Sequence, residues 1–152
     1  GHCISIDPYY LMHKSKISGY TPNIMLAARK INDEMGDWVV DNFLEFTKNE
    51  NIEIESTTIT LMGYTFKENC SDIRNTKVYD LAISLQNYGF EINIWDPFLT
   101  KESQDELNKK NIISYTNKPS DVQLAFICVY HDQILNFLKD YNGIIYDFKK
   151  IN

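Results

Sequence analysis

A cysteine and a carboxylate, separated by three residues, open the chain in Gly1-His2-Cys3-Ile4-Ser5-Ile6-Asp7-Pro8. A thiolate is a strong nucleophile toward electrophilic carbon, and a nearby carboxylate can assist the water that later releases the adduct. On a turn bounded by Gly1 and Pro8, Cys3 and Asp7 could be such a pair; the same residues also suit an ordinary loop. His2 adds little, because side chains adjacent in sequence seldom converge. A second group lies in Gly63-Tyr64-Thr65-Phe66-Lys67-Glu68-Asn69-Cys70-Ser71-Asp72-Ile73-Arg74-Asn75-Thr76. This segment lacks the G-x-G-x-x-G fingerprint, so it is a poor dinucleotide cradle of the usual kind. It does place Lys67 and Arg74 just ahead of a helix start. Two cations with exposed backbone N–H groups could hold a diphosphate, and two solvated surface charges would look the same. Asp96 ends a strand before Pro97, where doubly wound folds often hold a ribose hydroxyl. Asp-Pro is also a common turn initiator.

The elements that must position these residues follow from periodicity. Residues 1–20 read as a loop, with Pro8, Gly19 and the pair Tyr9-Tyr10. Thr21-Pro22 then suits a helix start, with Thr as cap and Pro in the first turn. Ile24, Ala28, Ile31, Met35, Trp38, Val39, Phe43 and Phe46 follow at helical spacing, which predicts a long helix over 22–49. A helix of this length links domains, packs against another subunit, or crosses a core. Beyond it, strands are expected at 57–62, 90–95, 112–115, 124–129 and 144–148. Helices are expected at 76–88, with Gly89 as its stop, at 101–110 and at 132–138. Strands alternating with helices imply βαβ units, a parallel sheet and right-handed crossovers. The expected fold is therefore α/β and Rossmann-like.

Composition narrows the function classes. With 152 residues the chain holds about one domain's worth of core. A net charge of -6 argues against a general nucleic-acid binder, which would concentrate Lys and Arg. No apolar run approaches the roughly 20 residues that span a bilayer. Three cysteines with no C-x-x-C spacing suggest neither a disulfide framework nor a metal site, and point to a reducing cytoplasm. Cys128, in an apolar run, is expected to be a buried strand residue, and Cys70 to lie in a polar loop. The opening residues, with no initiator Met, read like the interior of a longer polypeptide.

Taken together, four segments carry a resemblance. Gly1-His2-Cys3-Ile4-x-x-Asp7-Pro8-Tyr9-Tyr10-Leu11, Ala28-Arg29-x-Ile31-Asn32-Asp33-x-Met35, Gly63-x-Thr65-Phe66-Lys67-Glu68-Asn69-x-x-Asp72-Ile73-Arg74-Asn75-x-Lys77-Val78 and Asp96-Pro97 resemble, in that order, the UDP-glucose/GDP-mannose dehydrogenase family. The likeness is nearest to its bacterial branch acting on UDP-N-acetylhexosamines for capsule or surface polysaccharide. It covers essentially the whole chain, and the first and third segments are highly specific.

The resemblance implies a four-electron oxidation of a sugar C6 alcohol to a carboxylate with two NAD+. Cys3 matches the family's nucleophile, which forms a thiohemiacetal and then a thioester. Asp7 matches the carboxylate that assists hydrolysis. Phe66 and Lys67 match residues contacting the nucleotide sugar, and Arg74 an arginine reaching NAD on another domain. Lys149, in Asp147-Phe148-Lys149, stands where many relatives carry the arginine of Asp-x-Arg; it could meet a phosphate or uracil oxygen, without arginine's bidentate fork. The family's G-x-G-x-x-G domain and its catalytic lysine and asparagine are not in the sequence. By the same likeness, residues 1–50 are the end of a central domain whose long helix makes a homodimer, and 51–152 form the UDP-binding domain.

A UDP-sugar-binding module inactive in isolation is the alternative. A receiver-like signalling domain shares the βα alternation but needs an acidic cluster after the first strand, and Gly63-Tyr64-Thr65 offers none.

Overall fold

The computed structural model describes residues 2–149; Gly1, one bound of the opening turn, lies outside them. A 3-10 turn over His2–Ser5 leads into helix α1 (Asp7–Ile17) and the long helix α2 (Asn23–Asn49). Then come β1 (Thr58–Met62), α3 (Val78–Asn87), β2 (Glu91–Trp95), α4 (Lys101–Lys109), β3 (Ile113–Tyr115), β4 (Leu124–Ile127), α5 (Asp132–Leu138) and β5 (Ile144–Tyr146). The strands form one parallel sheet in the order β3-β2-β1-β4-β5. Strand order reverses beside β1, so the crevice between the tips of β1 and β4 is the fold's natural ligand position. The Rossmann-like α/β expectation holds.

Both faces of the sheet are covered, which explains why β4 is apolar throughout. Leu124 and Phe126 point into a core shared with α2, α3 and α4, and Ala125 and Ile127 into a second one with Trp95 and Ile134 of α5. Phe43 of α2 is fully buried at the centre of the first core, its ring 5.0 Å from those of Phe126 and Tyr146 and 5.6 Å from Phe90. Aromatic pairs at these separations add about 0.5–1.5 kcal/mol each to the burial term.

The first twenty residues differ from expectation. The sequence predicts a loop over 1–20, yet residues 7–17 are helical. The cues are local: Pro8 in the first turn, Asp7 at the positive end, Lys14 and Lys16 at the negative end. Only Met12 is buried on α1, so no apolar stripe announces it. Two expected ends of α2 and α3 also resolve differently. Thr21 does not cap α2, which begins at Asn23 with no side-chain cap bond. Thr76 precedes α3, accepting from the Val78 amide and donating to the Tyr64 carbonyl. The stop at Gly89 is as expected. Its φ is +100, its amide reaches Gln86 O and that of Phe90 reaches Leu85 O, a Schellman closure.

Helix α2 has two unlike halves. Val39, Val40 and Phe43 are buried, whereas Ile24, Ile31, Met35 and Trp38 are exposed at 87%, 64%, 43% and 52%. Among the described residues, no helix is long and apolar enough to cross a membrane.

Candidate functional site

The tips of β1 and β4 touch more closely than side chains allow. A Cβ on Gly63 would sit 2.5 Å from Val129 Cβ and 2.8 Å from its backbone N and O, and Gly63 has φ +91. Only glycine suits that crossing. Met62 O accepts from both the Cys128 and Val129 amides, at 2.9 and 3.0 Å. Beside this crossing, a cleft of about 470 Å³ is walled by α2 (Asn32, Asp33, Gly36), by the loop after β1 (Thr65, Phe66), by Thr76 and Lys77 ahead of α3, and by Cys128, Val129 and Phe148.

The loop after β1 is organised by Asp96. This carboxylate is completely buried and accepts four bonds: Oδ2 from the amides of Tyr64 (2.6 Å) and Thr65 (2.8 Å) and from His131 Nε2 (3.0 Å), and Oδ1 from Phe98 N (2.8 Å). Burial opposes its charge, but the His131 bond and the three amides outweigh burial and hold its pKa below the ordinary value. Of the two sequence readings of Asp96, the geometry therefore selects the structural one. Its oxygens are occupied by the protein, and it does not face the cleft as a ribose partner.

His131, also fully buried, accepts at Nδ1 from the Asn69 amide (2.9 Å), so its hydrogen is on Nε2, shared between Asp96 and Thr65 Oγ1 (3.1 Å). Thr65 Oγ1 donates onward to Lys67 O (3.2 Å). Asn69, at φ +53, accepts the Asp132 amide on its own Oδ1 (3.1 Å). A short turn is thus tied to the ends of two other strands, β2 through Asp96 and β4 through His131.

The expected site residues fall into place unevenly. Phe66 lines the cleft; Lys67, next to it, is exposed and has no ion-pair partner among the described residues. Arg74 is exposed and paired with Asp72 through Nε (3.0 Å) and Nη2 (2.8 Å). That carboxylate, by its hydrogen bonds and its charge, raises the Arg74 pKa. Cys3 and Asp7 are both exposed and neither lines the cleft. Lys149 lies at the cleft's edge: its Nζ donates to Cys128 O (2.8 Å) and stands 4.9 Å from the Tyr130 ring centre. Cys70 is half-buried, its thiol against Lys67 O. Cys128 is buried as expected, and burial pushes its thiol up to about 12, which keeps it protonated and inert.

Sequence reasoning missed several participants. Lys77 appeared only as part of a motif, yet it lines the cleft and pairs with Asp80 at 3.4 Å. Asp33 joins the cleft to α1: it accepts from Tyr9 Oη and from Arg29 Nη2 (2.8 Å), and Arg29 lies 4.7 Å over the Tyr9 ring. The Tyr9 hydroxyl first, and then Arg29, hold the Asp33 carboxyl below its usual pKa against some burial. Of the buried network the sequence singles out Asp96 alone; His131, directly after an apolar strand, carries no motif of its own.

Residues 60–151 match the family model described as "UDP-glucose/GDP-mannose dehydrogenase family, UDP binding domain". The chain belongs to that family. The expected family is therefore the right one. Among curated relatives it is similar to a UDP-N-acetyl-D-glucosamine 6-dehydrogenase of Salmonella typhi, 36% identical over 99% of this chain and 37% of the relative. It is also similar to Protein CapL of Staphylococcus aureus, 34% identical with the same two coverages. The chain thus spans a little over a third of these relatives. Among solved structures, a UDP-glucose dehydrogenase from Pyrobaculum islandicum has the same fold, with a TM-score of 0.79, 17% identity, and coverage of 100% of this chain and 34% of that one.

Proposed function

We propose that this member of the UDP-glucose/GDP-mannose dehydrogenase family is the nucleotide-sugar-binding end of an NAD-dependent UDP-sugar 6-dehydrogenase, acting on a UDP-N-acetylhexosamine for surface polysaccharide. The observation that carries the reading is the loop after β1. It stands at the sheet's switch point and presents an unpaired Lys67 ammonium. The Lys67 and Glu68 amides likewise have no acceptor among the described residues. An ammonium beside free amides is an anion site in a backbone turn. On the α2–α3 side of the cleft, Lys77 and Arg29 are engaged by Asp80 and Asp33, and Asp37 adds a negative charge, so that side offers a diphosphate no unengaged cation. The phosphates are therefore assigned to the Lys67 side, with Phe66 against the sugar and Lys149 near a phosphate or uracil oxygen.

In this reading Cys3 is the nucleophile. Once the C6 alcohol is an aldehyde, the Cys3 thiolate adds to its carbon and gives a thiohemiacetal. Loss of a second hydride leaves a thioester, and water assisted by Asp7 splits it into the uronate and free Cys3. Holding the intermediate covalently prevents its escape. NAD, where bound, would supply the acceptor for the two hydrides, and Arg74, whose side chain is 67% exposed beyond its Asp72 pair, would have an open edge for its phosphates. Residues 1–50 are assigned to a central domain and 51–152 to the UDP-binding domain.

The homodimer is assigned to the exposed stripe Ile24, Ile31, Met35 and Trp38 of α2, whose spacing of seven, four and three is that of a helix-packing seam. A reducing cytoplasm fits the free thiols. A polypeptide of residues 1–152 is expected to bind UDP and to leave NAD unreduced when given UDP-N-acetylglucosamine. NADH appearing in that assay would contradict the division of labour proposed.

A further inference from the structure

The Asp96–His131–Asn69 network takes no part in the chemistry above, yet it brackets the phosphate loop. Asp96 grips the amides of Tyr64 and Thr65, the two residues before Phe66. His131 grips the amide of Asn69, two residues after Lys67. Between these ends, the ring's Nε2 hydrogen also meets Thr65 Oγ1, and Thr65 in turn holds the carbonyl of Lys67. Phe98 packs its ring 5.0 Å from the imidazole, and Asn69 Oδ1 ties the far end to the start of α5.

We propose that His131, kept as a neutral Nε2–H ring between Asp96 and the Asn69 amide, is the positioning residue that sets Phe66 and Lys67 against the phosphates of the nucleotide sugar. The proposal rests on the phosphate reading of this loop given above. Its physical basis is that the ring must donate on one side and accept on the other. A donor at Nε2 satisfies a buried carboxylate, and an acceptor at Nδ1 satisfies an amide that would otherwise be orphaned. No single uncharged amide side chain of the same reach does both. Asparagine places its oxygen near Nδ1 and can keep the Asn69 bond while losing Asp96. Glutamine places its nitrogen near Nε2 and can keep Asp96 while losing Asn69. Each variant releases one end of the bracket and leaves Lys67 itself intact.

The test compares UDP with uridine, which shares the base and ribose and lacks the phosphates. In the protein carrying this sequence, His131→Asn and His131→Gln should each weaken UDP about tenfold, the scale of one lost positioning bond, and leave uridine within about twofold. Equal weakening of both ligands would mark His131 as merely structural, and unchanged UDP affinity would remove its role altogether; either result overturns the proposal. Lys67→Ala separates this failure from failure of the parent reading. If Lys67→Ala weakens UDP and the His131 variants do not, only the positioning role falls. If the unmodified protein binds no UDP, both fall. Should the variants fail to fold, nitrogen-15 spectra of the unmodified protein still decide: a hydrogen on Nε2 and none on Nδ1 at neutral pH is expected, and the opposite tautomer or a doubly protonated ring contradicts the bracket.

Discussion

The loop after β1 and the amino-terminal arm form opposite kinds of structure. The loop is mostly polar in sequence, yet its ends are tied down by buried Asp96 and His131. The arm, the opening turn and α1 with the first half of α2, is rich in apolar side chains and leaves them in water: Ile4 at 71%, Tyr10 at 72%, Ile17 at 68% and Ile24 at 87%. The loop's ends are held by bonds within this chain, whereas the arm's apolar side chains find no cover among the described residues. The boundary runs through a single helix, between Trp38 and Val39.

That contrast can be broken most forcefully at Phe43, just past the boundary. Phe43→Ala should cost about 3–5 kcal/mol in urea unfolding, because it empties the meeting point of four aromatic neighbours, Phe46, Phe90, Phe126 and Tyr146. A loss below about 1 kcal/mol would mean that the second half of α2 does not belong to the sheet's core.

Next in size is the loop's anchor. Asp96→Asn should destabilise by roughly 3 kcal/mol, since it leaves a buried ring and three amides without their charged acceptor. The effect should depend on pH with a definite sign. Asp96 has a folded-state pKa below its ordinary 3.8, so the stability it contributes is fully present above that value and disappears as pH falls through the folded pKa. Stability curves of the protein and of Asp96→Asn should therefore run parallel near neutrality and converge in acid; a constant gap down to the lowest pH would show that the charge is not what holds the loop.

The smallest effect on stability is expected in the arm. Ile31→Glu, on the exposed side of α2, should change unfolding free energy by less than about 0.5 kcal/mol per chain while converting a dimer to a monomer in sedimentation. A protein that sediments as a single 17.8 kDa chain before any substitution would remove the dimer from the account.

How much of this was legible in the sequence depends on how far apart the interacting residues are. The β–α alternation from Thr57 onward and the length of α2 are patterns within a window, and periodicity reveals them. The glycine stop at Gly89 is likewise local. Helix α1 escaped because a helix that buries only Met12 carries no stripe, although its end charges and Pro8 were in view. Lys67 and Phe66 were found through their motif. The role of Asp96 was not decidable, because its decisive partner, His131, is 35 residues away and Asp-Pro has an innocent local meaning. Asp33 stood only as part of a motif for the same reason: its bond to Tyr9 spans 24 residues.

The most direct measurement is a calorimetric titration of UDP into the protein and into Lys67→Ala. If the turn following β1 receives the diphosphate, the unmodified protein binds UDP and the substitution weakens it by about 1.5–3 kcal/mol, the worth of a hydrogen bond to a charged group. Equal affinity in the two proteins would place the phosphates elsewhere and undo the assignment on which the chemistry at Cys3 depends.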